Sequence, residues 1–251
     1  MDRAFVISGT SVEAGQQKPA AAVLFSNSAP KMQSLLPLGF QDIRSVEEAR
    51  PLSKQPTEPT AYVFSPGSCR IGIVRLDWSG NIVSKAAAAG EPHAMIPPVS
   101  GPAADRVLYQ PKAYVISAQV REGRVARPVV AVLFIKPEPG EKAMQPDKKT
   151  LSRIGLCDIQ SVEQVSTGAD LRGCALYVFE RTPAARSVSV IGLARDGSER
   201  QRQERRGEPH SIIPPVAGSA AERLLYPRGA LSGNDFPRQP QGQAQRRRTT
   251  L

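Results

Sequence analysis

The feature of this sequence that most constrains its fold is an internal duplication. Residues 90–109 read GEPHAMIPPVSGPAADRVLY and residues 207–226 read GEPHSIIPPVAGSAAERLLY, with 14 of these 20 positions identical. Earlier matches follow the same order: AFVIS at 4–8 returns as AYVIS at 113–117, and LGFQDIRSVE at 38–47 returns as IGLCDIQSVE at 154–163. Ordered matches indicate two copies of one folding unit. We predict a first copy in residues 1–110, a second in 111–226, and a tail in 227–251.

Each copy is predicted to be an α+β unit, a small and mostly antiparallel sheet with short helices. Short apolar runs rich in β-branched and aromatic residues, such as 5–7, 22–25 and 61–64, predict strands. Ser45-x-x-Glu48 and Ser161-x-x-Gln164 fit capping boxes, which predict a short helix after each serine. Further short helices are predicted at 103–108 and 220–225. Hairpins with few helices between the strands favour an antiparallel sheet over a doubly wound parallel one.

Composition excludes several classes of protein. The three cysteines of the 251-residue chain cannot all pair and none forms Cys-x-x-Cys, which argues against a disulfide scaffold and a cysteine-based zinc site. No apolar run approaches the roughly 20 residues of a membrane helix, and the N-terminal apolar stretch is too short for a signal peptide. We therefore expect a cytoplasmic protein without membrane insertion and without a cleaved signal peptide.

The duplicated GEPH segments hold the only two histidines, His93 and His210. The intervening proline favours an extended backbone at the preceding glutamate, which predicts that Glu91 pairs with His93 and Glu208 with His210. Such pairs suit a binding contact or a general base. A helix-capping network is the structural alternative.

Two further arginines, Arg106 and Arg223, are duplicated near these pairs and are predicted to balance the glutamates. No nucleophile is duplicated beside them, and common catalytic and nucleotide-binding motifs are absent from the sequence. One histidine and one glutamate per copy also fall short of a zinc site. We assign no catalytic residue, metal ligand or cofactor, and an enzyme is the less favoured interpretation.

An arginine cluster in the second copy suggests an anion-binding surface. It comprises Arg200, Arg202, Arg205 and Arg206, preceded by Arg195 and interleaved with acidic residues, whereas the first copy carries Lys85 and four alanines there. A nucleic acid is the corresponding partner. A solvated charged face is the alternative.

The tail is rich in Gln, Pro, Arg and Gly, and its composition predicts disorder. Arg238, Arg246 and Arg248 fall in an R-x₇-R-x-R order, with Arg247 between the last two. This arrangement resembles the arginine-rich C-terminal export signal of agrobacterial type IV secretion substrates, although the next arginine of that pattern falls at Thr250. The resemblance covers about 14 residues and implies transfer into a host or recipient cell. A generic basic tail is the alternative.

The sequence leads to three hypotheses of function. The first is a non-enzymatic binding or adaptor protein, translocated by a type IV secretion system or associated with transfer, with a protein or the secretion machinery as partner. The second is a nucleic-acid-binding protein that uses the arginine cluster and the tail. The third is an enzyme that uses the Glu–His pairs.

Overall fold

The computed structural model of the chain describes residues 3–13, 15–169, 171, 173–182 and 185–226. Within them the chain forms two similar, mostly antiparallel modules, each built on a seven-stranded sheet. The predicted pair of antiparallel sheet units is confirmed. The α+β description is too helical, because the described α-helices are four to six residues long. The limits after residues 110 and 226 stay predictions, and the tail lies outside the described residues.

The first module has the sheet order β6-β5-β4-β2-β1-β3-β7. Its strands are β1 (Ala4–Glu13), β2 (Gln16–Phe25), β3 (Asp42–Pro51), β4 (Thr60–Phe64), β5 (Arg70–Leu76), β6 (Ile82–Ala89) and β7 (Val99–Ser100). Its α-helices are α1 (Met32–Leu35), α2 (Pro92–Met95) and α3 (Pro102–Val107), and a 3₁₀ turn (Leu36–Leu38) follows α1.

The second module repeats this arrangement with the order β13-β12-β11-β9-β8-β10-β14. Its strands are β8 (Lys112–Glu122), β9 (Val125–Ile135), β10 (Leu156–Thr167), β11 (Cys174–Glu180), β12 (Ser187–Leu193), β13 (Glu199–Arg206) and β14 (Val216–Ala217). Its α-helices are α4 (Lys148–Arg153), α5 (Pro209–Ile212) and α6 (Ser219–Leu224). The shared strand order is the structural counterpart of the sequence repeat.

Short helices cover both faces of the first sheet, which explains its uninterrupted apolar strands. The last six residues of β2 are all buried. Successive side chains of a strand point to opposite faces, so Phe25 packs in one cluster with Ala104 of α3, and Leu24 packs in another with Leu35 of α1. The second sheet has the same two-sided core. The chain between β6 and α3, which contains GEPH, is thereby held against one face of the sheet.

The predicted capping boxes do not begin helices. Ser45 lies within β3 and Ser161 within β10. In the register with β1, Ser45 faces Ser8, and their hydroxyl oxygens lie 2.7 Å apart. Pairing with a distant strand satisfies the backbone groups that a local helix would otherwise satisfy. The local motif is therefore overridden by long-range pairing.

Candidate functional site

Each GEPH segment lies between the edge strand and the last short strand of its module. Glu91 has an extended backbone, with φ −72° and ψ 133°, and Pro92 starts the four-residue helix that carries His93. Glu208, Pro209 and His210 repeat this geometry. The chain is therefore extended at the glutamate and helical from the proline, whose fixed φ suits the first turn of a helix.

Both predicted Glu–His pairs are present in the structure. The Oε2 of Glu91 lies 3.6 Å from Nε2 of His93, and the Oε2 of Glu208 lies 3.3 Å from Nε2 of His210. The other contacts of the two carboxylates differ. Glu91 accepts a hydrogen bond of 2.6 Å from Nζ of Lys112, which belongs to the second module, whereas Glu208 pairs with Arg186 of its own module.

The two histidine side chains also differ in burial. The His93 side chain is only 4% exposed, against 39% for His210. The second module contacts this segment, because the backbone N–H of Gly140 donates to the His93 carbonyl oxygen at 3.0 Å. Gly140 lies between β9 and α4, in a loop (136–147) twice as long as the matching loop in the first module (26–31). One GEPH segment is thus enclosed at the junction of the modules, and the other faces solvent.

A cleft of about 250 Å³ opens at this junction and is lined by both modules. The first module contributes Cys69, Glu91 and His93, and the second contributes Lys112 and Gln164. The buried Nε2 of His93 has no hydrogen-bond partner among the described residues, because the Oε2 of Glu91 lies 3.6 Å away, beyond hydrogen-bond distance. A buried ring nitrogen without a hydrogen-bond partner is an unsatisfied polar group.

The surroundings of His93 in the cleft favour its neutral form. Burial lowers the pKa of His93, Glu91 acts in the opposite direction, and Lys112 lowers the pKa further. A neutral imidazole has one donor and one acceptor nitrogen, so it is able to bind a polar group of either kind. The Glu91–Lys112 pair compensates its own charge, and the cleft therefore suits a polar ligand.

Cys69 was not among the sequence-based site residues, although it lines the same cleft. Within the described residues, no hydrogen bond joins its thiol to His93. The equivalent residue in the second module is Arg186. The backbone N–H of Gly90 donates to the Cys69 carbonyl, and the backbone N–H of Gly207 donates to the Arg186 carbonyl in the same way. A nucleophile–base pair is therefore not assembled in this structure.

Arg106 and Arg223 do not balance the GEPH glutamates, and that expectation was wrong. Arg106 bonds to Glu47 of β3 at 2.5 Å, and Arg223 bonds to Glu163 of β10 at 2.5 Å. Both arginines lie on the last helix of their module, so they fasten that helix to the third strand of the sheet. Their duplication thus follows from the fold.

The arginine cluster lies on β13, the outer edge of the second sheet, and every residue of this strand is exposed. Arg202 is engaged by Glu199 at 2.7 Å, while Arg200, Arg205 and Arg206 project from the same strand. The tail arginines Arg238, Arg246, Arg247 and Arg248 lie outside the described residues.

Comparisons with protein-family models, curated proteins and solved structures found no match. In the described part of the chain, no group of three or more His, Cys, Asp or Glu side chains is placed to hold a metal ion. Helices long and apolar enough to cross a membrane are likewise absent from those residues.

Proposed function

We propose that this chain is a non-enzymatic binding or adaptor protein whose binding site is the junction cleft. The observation that carries the proposal is the buried Nε2 of His93, which lacks a hydrogen-bond partner among the described residues, beside a cleft to which both modules contribute. A site completed by two modules is typical of binding sites, which favour interfaces between structural units.

The size and chemistry of the cleft favour a protein partner. About 250 Å³ is below the usual volume of a small-molecule site and suits one inserted side chain. Neutral His93 bonds to a polar group, and the rim supplied by Gln164, Ser166 and Thr167 is polar and uncharged. The partner we propose inserts an uncharged polar side chain, such as an amide or a hydroxyl, beside His93.

A nuclease-treated affinity capture tests this proposal with a matched pair of variants. The full chain, His93→Gln and His210→Gln are immobilised, and bound proteins are compared by quantitative mass spectrometry. We expect one partner to be retained by the parent and by His210→Gln and to be depleted at least tenfold by His93→Gln. Equal recovery by all three proteins, once circular dichroism shows that each is folded, would reject the cleft as the binding site.

The second candidate function is nucleic-acid binding through β13. Residues two apart on a strand share a face, which places Arg202, Glu204 and Arg206 on one side of this exposed edge, while Arg200 lies at the register shift opposite Gly192 and Leu193. Titration of duplex DNA at several salt concentrations tests it, because each lost phosphate contact lowers the slope of log affinity against log salt by about 0.9. Replacing Arg202 and Arg206 by Gln should reduce both affinity and slope if β13 binds phosphates. The Arg106→Gln variant is the matched control.

Export through a type IV system is a separate part of the proposal and is supported by the tail sequence alone. In this scheme the protein is made in the cytoplasm and is then transferred into another cell. Its test uses a reporter fused to the chain and therefore does not depend on the cleft.

A further inference from the structure

A pocket of about 280 Å³ lies at one end of the first module, on the face of the sheet opposite the junction cleft. Its walls are the loop 26–31, Leu24 of β2, Leu35 of α1 and the turn 77–80 between β5 and β6. Leu24 and Leu35 belong to the core cluster on the α1 face, whereas Leu108 of the junction cleft belongs to the cluster on the α3 face. The pocket is therefore a separate site.

At the equivalent position of the second module, the chain fills the space itself. Met144, in the long loop 136–147, is buried in one cluster with the counterparts of the pocket walls. These counterparts of Leu24, Ser26, Leu35 and Leu76 are Leu133, Ile135, Leu151 and Leu193. The turn after β12 also contacts it, since a Cβ atom added to Gly197, the counterpart of Gly80, would lie 3.4 Å from the Sδ of Met144. Met144 thus occupies the space that is open in the first module.

The described residues of the first module supply no such occupant. The short loop 26–31 contributes no residue to the corresponding buried cluster, and residues 27–29 are exposed. A second copy of the chain could lend its long loop only by withdrawing Met144 from its own core and by breaking the hydrogen bond between Gly140 and His93. The occupant that fits is therefore a segment of another protein.

The rim of the pocket differs between the modules in the same sense. Trp78 of the wall and the adjoining Met32 and Leu36 are each more than half exposed. Their counterparts in the second module are polar: Arg195, Lys148 and Ser152. Of these, Arg195 is engaged by Glu138 and Glu141 of the long loop. Clustered exposed apolar side chains are typical of protein-binding surfaces, and Trp is enriched among the residues that contribute most to binding.

We propose that this pocket binds a segment of a partner protein that inserts a methionine side chain beside Trp78, as Met144 is inserted in the second module. Methionine suits the position because its flexible, unbranched chain fills irregular spaces and its sulfur makes favourable contacts with aromatic rings. The volume is below that of a usual small-molecule site and suits one such side chain. This gives the protein a second partner-binding site, on the other face of the first sheet from the junction cleft.

The probe for this site is the blocked pentapeptide KAMQP, which copies residues 142–146 and carries no acidic group. The matched peptide KASQP replaces the methionine by serine. Trp78 is the only tryptophan of the chain, so its fluorescence reports on this pocket alone. We expect KAMQP at millimolar concentrations to change the emission in a saturable way. The affinity of KASQP should be at least tenfold lower, because burial of the methionine side chain supplies most of the binding free energy.

A pair of variants locates the bound methionine. Saturation-transfer NMR with the full chain measures contact at the ε-methyl group of the peptide. Trp78→Ala should abolish this transfer, whereas Val83→Ala, which removes an exposed apolar side chain outside the pocket lining, should leave it intact. The two side chains are 67% and 65% exposed, so both variants should fold, and thermal melting verifies this.

Three results would overturn the proposal. The first is equal affinity for KAMQP and KASQP, or no saturable change in the emission of Trp78, which is measured on the unmodified chain. The second is undiminished saturation transfer in folded Trp78→Ala. The third is self-association of the parent that Trp78→Ala abolishes, because it would assign the pocket to a second copy of the chain.

Discussion

Replacing each histidine by alanine should have very unequal effects on stability, although the two lie in nearly identical sequences. The His93 side chain is 4% exposed and sits between two modules, whereas His210 is 39% exposed. Truncating a well-buried side chain costs about 2–5 kcal/mol. The Nε2 of His93, which has no hydrogen-bond partner in the described part of the chain, offsets part of that cost, since burying a polar group without a hydrogen bond is itself unfavourable by roughly 1–3 kcal/mol.

The net expectation for His93→Ala is a loss of about 1–3 kcal/mol in the free energy of unfolding. At roughly 3 °C per kcal/mol for a chain of this size, the melting temperature falls by about 3–9 °C. His210→Ala should change the free energy by no more than about 0.5 kcal/mol, because an exposed side chain loses little packing. Differential scanning calorimetry measures both. Equal losses in the two variants would refute the asymmetric junction.

Three other outcomes follow from the same contacts. The pKa of His93, which faces Glu91 and Lys112, is lowered in the folded state, so the folded protein binds fewer protons at this site than the unfolded chain does. The contribution of His93 to stability is therefore full above about pH 6.5 and decreases as the pH falls below it. Urea titrations should show a smaller decrease in His93→Gln than in the parent. Arg106→Ala should cost less than about 1 kcal/mol by calorimetry, because its ion pair with Glu47 is exposed. In the transfer assay, a reporter fused to the chain should no longer reach recipient cells when the tail arginines are replaced by Gln, while its expression in the donor is unchanged; continued transfer would dismiss the export hypothesis. These arginines are Arg238, Arg246, Arg247 and Arg248.

The sequence predicts the repeated architecture well because each copy supports the assignment of the other. The apolar runs, the hairpin turn from Asp77 to Asn81 and the terminal helices all lie where the pattern predicts them. The helices after Ser45 and Ser161 are wrong, since a capping box describes only local hydrogen bonding. The pairing of β3 with β1 joins residues 37 apart, such as Ser8 and Ser45, and the local motif carries no information about it.

The sequence predicts the Glu–His pairs because a proline fixes their local geometry. It does not predict that one pair is enclosed and the other is exposed. Lys112 and Gly140 come from the other module, and nothing in GEPH distinguishes an enclosed copy from an exposed one. One signal does point to the junction: the offset between matched residues rises from 109 at Phe25 to 116 at Leu38, which marks the longer loop of the second module. The sequence alone does not show where that extra loop packs.

The most direct test of the enclosed junction uses the fact that the chain has only two histidines. Diethyl pyrocarbonate acylates accessible imidazoles, and mass spectrometry of the peptides gives the rate at each site. The structure predicts rapid acylation of His210 and slow acylation of His93, with the rate at His93 rising in Lys112→Glu, which breaks the contact with Glu91. Equal rates at the two histidines in the parent would contradict a closed junction and, with it, the proposed binding site.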